Sequence, residues 1–517
     1  MTERLIRVVR PEINHPSLQD NTADTDRVVK ALKKHLGVNS IDVDFSLIKE
    51  LPYKLRDNSY KICACIFQTN DIVELIDVYP AEGTDIYGIA IDLGSSTIVM
   101  DLIRLNDLKN IDEVTFRNPQ IEIGTDILTR IHYASKPEGL NKLQSMLIDE
   151  MNKHIQQLCD RHNISTDTIV GISVAGNTSM THLFLGLTPQ WICREPYIPV
   201  INKFERPLKA YQVGLKANKR AMLIVFPNVG SYFGGDLIAG ILASGMARQN
   251  EEICMLVDVG TNAEVVLGNG DWLIACAGAA GPALEGGVAN IGMMAGPGVI
   301  DRVKIDPETL EIEYHTIDDL PPVGICGSGL IDLVAQMFIA GMIDMRGKFV
   351  PERCGNRLVE KDGIMYFIVV PAEESGTGED LTLSQPDIDS LIRSKAAMYT
   401  ILTTIINTVN LSFNDIGKFY IAGTFGSYIN PQSAITIGMI PDLPLDTYVA
   451  LGNTSIKGAS LIFKSQDYYE EMLKIRDMIT YIELNVNQEF MQLFSAAKFI
   501  PHTDRSLFPS VKQYNEK

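Results

Sequence analysis

Two short stretches, far apart in the chain, hold residue types suited to gripping a metal-bound phosphate. In Tyr87–Ile103 an apolar run ends in Asp92-Leu93-Gly94-Ser95-Ser96-Thr97, and a second apolar run follows. Glycine in such a turn lets backbone N–H groups approach a phosphate closely, because it has no Cβ. Ser95, Ser96 and Thr97 add hydroxyl donors, and the Asp92 carboxylate suits a hydrated Mg2+. Cys254–Gly268 repeats the arrangement with Asp258, Gly260, Thr261 and Asn262. A pair of such turns predicts two related lobes facing a common cleft, each offering one turn to the phosphates of a nucleotide. A third stretch, Phe419–Ile429, runs from an apolar strand into Gly423 and Gly426, where bare backbone can lie flat against a base or ribose.

Other residues join these with a plainer reading beside each. Asp236 follows Gly234-Gly235 at the start of an apolar helix, Leu237–Leu242. It caps that helix or complements its dipole, or it orients the attacking water. The glycine-rich run Gly278–Gly298 packs closely on a sheet, or its helix start near Gly281-Pro282 meets a phosphate through free N–H groups. Lys395, on a helix opened by the capping box Ser384/Asp387, solvates an exposed face or reaches a phosphate or ribose. His182, on the helix after the turn Gly176-Asn177-Thr178, reads as structural, and Asn177 or Thr178 as that helix's cap.

The elements that must position these residues follow from periodicity. Alternating apolar residues predict strands over Tyr87–Ile91 and Ile98–Ile103, and Val170–Gly176 reads as a buried strand. Helical spacing marks Gly139–Cys159, with Leu143, Leu147, Met151, Ile155 and Leu158 on one face. Residues 1–82 read as a small separate α+β domain. It holds an amphipathic helix over Thr25–Leu36, a short helix Ser46–Leu51 ended by Pro52, and strands over Lys61–Phe67 and Ile72–Tyr79. Pro80–Thr84 marks its boundary. Between Asp301 and Gln385 the pattern weakens, which predicts an insertion. Residues 83–517 then form the two lobes, about 83–250 and 251–463, with a C-terminal segment 464–517.

Composition narrows the function classes. Acidic residues outnumber basic ones 64 to 45, leaving a net charge of −19, which argues against a nucleic-acid or anionic-membrane surface. No apolar run reaches the roughly 20 residues of a membrane helix. The N-terminus lacks a signal peptide's apolar core, so a cytoplasmic location is expected. Eight scattered cysteines fit reduced thiols rather than a disulfide framework.

In order, the three glycine turns resemble the phosphate-1, phosphate-2 and adenosine motifs of the actin, sugar kinase and heat-shock chaperone superfamily. Longer stretches, among them NPQIEIGTDILTRI, GNTSMTHLFLGL, AGAAGPALEGG, GICGSGLID, LSQPDIDSLIRSKAAM and LGNTSIKGA, resemble the reductive activators of corrinoid proteins. Residues 1–82 are similar to the small middle domain of those activators.

The resemblance implies an α/β fold with two ribonuclease H-like lobes around a nucleotide cleft. It also implies ATP and Mg2+ as cofactors, with Asp92 and Asp258 holding the metal and Asp236 orienting water. The implied partner is a corrinoid methyl-carrier protein, returned by ATP hydrolysis to its cobalt(I) state, and the activator is expected to be a homodimer. Thr424 departs from the family's second glycine. Typical members also carry an iron–sulfur ferredoxin domain. Here Cys63-Ala64-Cys65 is the only close thiol pair, short of the four thiolates a cluster takes. No cluster is therefore expected, and a separate ferredoxin-type protein is expected to donate electrons. The rival readings are a small-molecule kinase and a non-reductive, ATP-dependent reactivase.

Overall fold

The computed structural model describes residues 3–82, 84–231, 233–248, 251–259, 263–278, 289–423, 429–482 and 489–513. The chain divides into two compact units: residues 1–243 with 454–477, and residues 244–453 with 478–517. Thr454–Asp477 thus belongs with the first unit, whereas the sequence pattern assigned its start to the second lobe. Among the described residues no helix is long and apolar enough to cross a membrane.

The first unit opens with a four-stranded sheet of β1 (Ile6–Val9), β2 (Asp42–Val43), β3 (Ile62–Gln68) and β4 (Val73–Pro80), in the order β1-β3-β4-β2. Helices Asp24–Leu36 and Phe45–Asp57 bury Val28, Leu32, Leu47, Leu51 and Leu55 in its core. The second helix does not stop at Pro52. Leu47, Leu51 and Leu55 lie on one helical face and are all buried, so packing carries the helix through the proline.

Its second sheet holds β5 (Tyr87–Leu93), β6 (Thr97–Arg104), β7 (Lys109–Arg117), β8 (Ile169–Gly176), β9 (Leu208–Lys209) and β10 (Met222–Val225), in the order β7-β6-β5-β8-β10-β9. The helix Pro137–His162 lays Leu143, Leu147, Met151, Ile155 and Leu158 into the core on one face of this sheet.

A buried charged joint fastens the two sheets. Arg220, 2% exposed, donates from Nε to the Ile76 carbonyl (2.7 Å), and its Nη2 reaches Asp77 (2.9 Å) and Glu50 (3.2 Å). Asp77, 3% exposed, also receives Lys54 (2.5 Å) and the Asn218 amide (2.8 Å). Paired and hydrogen-bonded in this way, the charges tolerate a burial that either alone would not.

The second unit contains β11 (Ile253–Val259), β12 (Ala263–Gly268), β13 (Leu273–Gly278), β14 (Val299–Ile305), β15 (Ile312–Thr316), β16 (Gly324–Ile325), β17 (Leu358–Lys361), β18 (Ile364–Val370), β19 (Leu381–Ser384), β20 (Ile416–Ala422), β21 (Tyr448–Gly452) and β22 (Ile479–Tyr481). Its main sheet runs β21-β20-β11-β12-β13-β22. The series β13-β12-β11-β20-β21 repeats β7-β6-β5-β8-β10: an antiparallel meander of three strands, then two strands added in parallel. The α/β, two-lobed, ribonuclease H-like fold expected from the sequence is therefore present.

The stretch from Asp301 to Gln385 is not a surface insertion. Helix Gly327–Ile339 is buried along nearly its whole length, and Ile331, Leu333 and Phe338 enter the same core as β11 and β12. A helix buried on nearly every side shows only a weak contrast between faces.

Candidate functional site

In the first unit the site is built at the C-terminal ends of the parallel strands, where open α/β sheets offer ligands their crevice. Asp92 is the penultimate residue of β5, half-buried, opposite Val99 on β6 and Ala175 on β8. The turn after it is held from below. Buried Asn118 donates from its side-chain amide to the Gly94 carbonyl (2.9 Å), and its backbone N–H donates to the Ser96 carbonyl (2.9 Å). A Cβ on Gly94 would run into the Thr97 carbonyl oxygen, so the tight turn admits only glycine there. Ser95, Ser96 and Thr97 are half-buried or exposed, with Thr97 already the first residue of β6.

The neighbouring strand β8 ends in Gly176, and Asn177 caps the helix Thr178–Leu185 by accepting from Met180 N–H. Gly234 packs against Asn177, which brings the helix Gly235–Ser244, with Asp236 in its first turn, to the end of β8. Asp236 Oδ1 accepts from the Leu237 N–H (2.9 Å). Thr178 ties down the same segment, donating to the carbonyls of Gly230 and Phe233 (both 3.2 Å). Asp92 and Asp236 thus share one edge of one unit.

His182 is structural. Its Nδ1 hydrogen-bonds the Thr178 carbonyl (2.7 Å) and its Nε2 accepts from the Val200 N–H (3.1 Å), an arrangement that needs the neutral ring. Burial holds its pKa below the ordinary imidazole value.

The second unit repeats the strand geometry around its own aspartate. Asp258 is the penultimate residue of β11, opposite Glu264 on β12 and Ala422 on β20. Ala422 is followed by Gly423, as Ala175 is followed by Gly176. Gly423 has a left-handed φ of 83°, and a Cβ there would lie 3.0 Å from Asp258 Oδ1. One glycine therefore both turns the chain and leaves room for the carboxylate. Gly260, Thr261, Asn262, Gly281 and Gly426, together with Thr424, lie outside the described residues.

Lys395 departs from the expectation. It is 1% exposed, and its Nζ donates to the carbonyls of Phe499 (2.5 Å) and Pro501 (2.7 Å). Burial pushes its pKa well below the ordinary lysine value. The helical pattern placed it on a face but did not show that the C-terminal segment covers that face. It holds that segment and does not present an ammonium to a ligand. Cys63 and Cys65 are buried on β3, and burial pushes both thiols up, away from the thiolate that a cluster binds.

Within its own unit, each of Asp92 and Asp258 offers a hard oxygen ligand at the end of a strand, the kind of group that suits a hydrated Mg2+. Among the described residues no cluster of three or more acidic, histidine or cysteine side chains forms a complete metal cage.

Comparison with known proteins agrees over nearly the whole chain. A family model described as the C-terminal domain of RACo, the ASKHA domain, matches residues 252–512. Two further models, the RACo middle region and the RACo linker region, match residues 87–249 and 2–85. This chain belongs to the RACo family. A solved structure described as a reductive activator for corrinoid, iron-sulfur protein superposes with a TM-score of 0.88 at 37% identity, covering 99% of this chain and 81% of that one. The corrinoid activation enzyme RamQ of Eubacterium limosum is 30% identical over 87% of this chain and 76% of its own. A [Co(II) methylated amine-specific corrinoid protein] reductase of Methanosarcina barkeri is 24% identical over 76% of this chain and 73% of its own. In RACo terms, the first four-stranded sheet is the linker region, not the middle region expected from the sequence; the middle region carries Asp92 and Asp236.

Proposed function

We propose that this RACo-family chain is an ATP-driven activator that helps return a corrinoid methyl-carrier protein from cobalt(II) to cobalt(I). The observation that carries the reading is the repeated geometry: Asp92 and Asp258 each stand next to last on the first strand of a duplicated sheet, opposite an alanine that precedes a glycine. Similarity to proteins named as corrinoid activators supplies the partner class.

The carboxylates would hold water of a Mg2+ shell, and the turn at Gly94–Thr97 offers N–H and hydroxyl donors to phosphate oxygens. When bound with ATP, Mg2+ would supply charge neutralisation on the phosphates. Asp236 orients the water that attacks the γ-phosphorus, with ADP leaving. Positioning and charge neutralisation account for most catalysis of this kind. The free energy of nucleotide binding and hydrolysis favours the protein conformation that recognises the corrinoid partner. The single electron cobalt(II) needs comes from a separate ferredoxin-type donor.

The test mixes the protein with Mg–ATP, a low-potential reductant and corrinoid methyl-carrier proteins, and follows the cobalt absorption spectrum. A cobalt(I) spectrum that requires ATP and is lost in Asp258→Ala supports the proposal. Phosphate transfer to a small molecule, or ATPase activity stimulated by the corrinoid protein with no change at cobalt, would replace it with a kinase or a non-reductive reactivase.

A further inference from the structure

One face of the first unit's second sheet carries mostly small side chains. Ile89, Ile91, Ile172 and Val174 fill the main core, so alternation turns Gly88, Ala90, Asp92, Gly171, Ser173 and Ala175 to the opposite side. Helix Thr454–Leu461 lies on that side: Ser460 Oγ donates to Asp101 Oδ2 (3.2 Å), and Phe463 packs on Gly88 and Gly171. Gly458 approaches Ala239 so closely that a Cβ would meet its carbonyl oxygen.

These contacts fix the helix's direction. Phe463 is at the level of Gly88, and Ser460 is at the level of Ala90, the partner of Asp101. From Ser460 back to Thr454 is six residues, about 9 Å along a helix, or roughly three residues of strand. The helix therefore begins at the level of Asp92 and Ala175, the edge that also carries Asn177 and Asp236.

Two buried hydroxyls stand at that beginning. Thr454 is 1% exposed and Ser455 is 7% exposed, and among the described residues neither Thr454 Oγ1 nor Ser455 Oγ has a hydrogen-bond partner. Buried hydroxyls are ordinarily satisfied, so a pair left open in one turn calls for a ligand. Side chains lean toward a helix's N-terminus, where the positive end of the dipole favours an anion.

We infer that the first turn of helix Thr454–Leu461 binds a phosphate oxygen of the nucleotide, with Thr454 Oγ1 and Ser455 Oγ as donors. This rests on the ATP reading above and adds to it a phosphate contact from outside both glycine turns. The hydroxyls are shielded from bulk water in this structure, so phosphate enters as that edge opens, and the low dielectric there strengthens the bonds it makes.

The test compares Thr454→Val and Ser455→Ala with the parent chain, measuring calorimetric affinity for Mg–ATP, Mg–ADP, adenosine and pyrophosphate, and Tm without ligand. Each variant should bind ATP, ADP and pyrophosphate roughly tenfold more weakly, the loss of about one hydrogen bond to a charged group, with adenosine unchanged. The ligand-free Tm should stay level or rise, because an unpaired hydroxyl contributes nothing to folding. Unchanged ADP affinity in both variants overturns the inference and leaves the ATP reading standing, as does equal weakening of ADP and adenosine. A parent chain that binds no Mg–ATP overturns both.

Discussion

Replacing Gly423 with alanine separates backbone strain from damage to the site. Its φ of 83° places an L-residue in the left-handed region, at about 1–2 kcal/mol. The new Cβ would lie 3.0 Å from Asp258 Oδ1, against ordinary contact beginning near 3.4 Å. The carboxylate must therefore shift by roughly 0.4 Å. If a 1 Å misplacement lowers a rate about a hundredfold, that shift lowers it roughly sixfold. The control is Gly37→Ala, at the end of helix Asp24–Leu36, where φ is 68° and a Cβ meets nothing within 4 Å. Both variants should lose a similar stability, a few degrees of Tm at about 2–4 °C per kcal/mol for a unit of this size. Only Gly423→Ala should also slow ATP hydrolysis, measured as phosphate release with and without a corrinoid protein. Equal hydrolysis in both variants at matched stability would refute the placement of Asp258 at the reacting phosphates.

Other expectations follow from the buried polar groups. Arg220→Met strands Asp77, but Lys54 and Asn218 remain beside it. The loss should fall near about 3 kcal/mol, read as a lower urea midpoint and faster proteolysis within residues 2–85. Lys395→Met leaves the Phe499 and Pro501 carbonyls without their donor, lowering stability by about 2 kcal/mol. Calorimetry should show its nucleotide affinity unchanged. His182 has a folded pKa held below the ordinary 6.5, so the unfolded chain binds the extra proton first. Stability is full above 6.5 and declines as pH falls from 6.5 toward the folded value, by at most about 1.4 kcal/mol per pH unit for that group. His182→Gln should flatten that part of a Tm profile taken from pH 7.5 to 5, leaving a residual slope from His502, which burial also lowers.

The local chemistry was legible because it lies in consecutive residues. Alternation located β5, β6, β8 and β20, and the small polar residues between apolar runs located Asn177 and the Ser384 capping box, whose side chain accepts from Asp387 N–H. What stayed hidden depends on partners distant in sequence. Asn118 supports the Gly94 turn from across the sheet, and Arg220 meets Asp77 only after the two sheets have packed. Pro52 stops a helix in isolation, yet burial of Leu55 outweighs it here. Lys395 sits at proper helical spacing, but spacing does not reveal a segment more than a hundred residues later that covers it. The duplicated strand order likewise emerges only from pairing, since β8 and β20 share little beyond Ala-Gly at their ends.

The charged joint at Arg220 and Asp77 changes what the word linker means for residues 2–85. A tether must bend, yet this one owns a core and is riveted to its neighbour by a guanidinium and a carboxylate sealed from solvent. Pulling it free would expose both ions at once, so it serves as a mounting block for the sheet that bears Asp92.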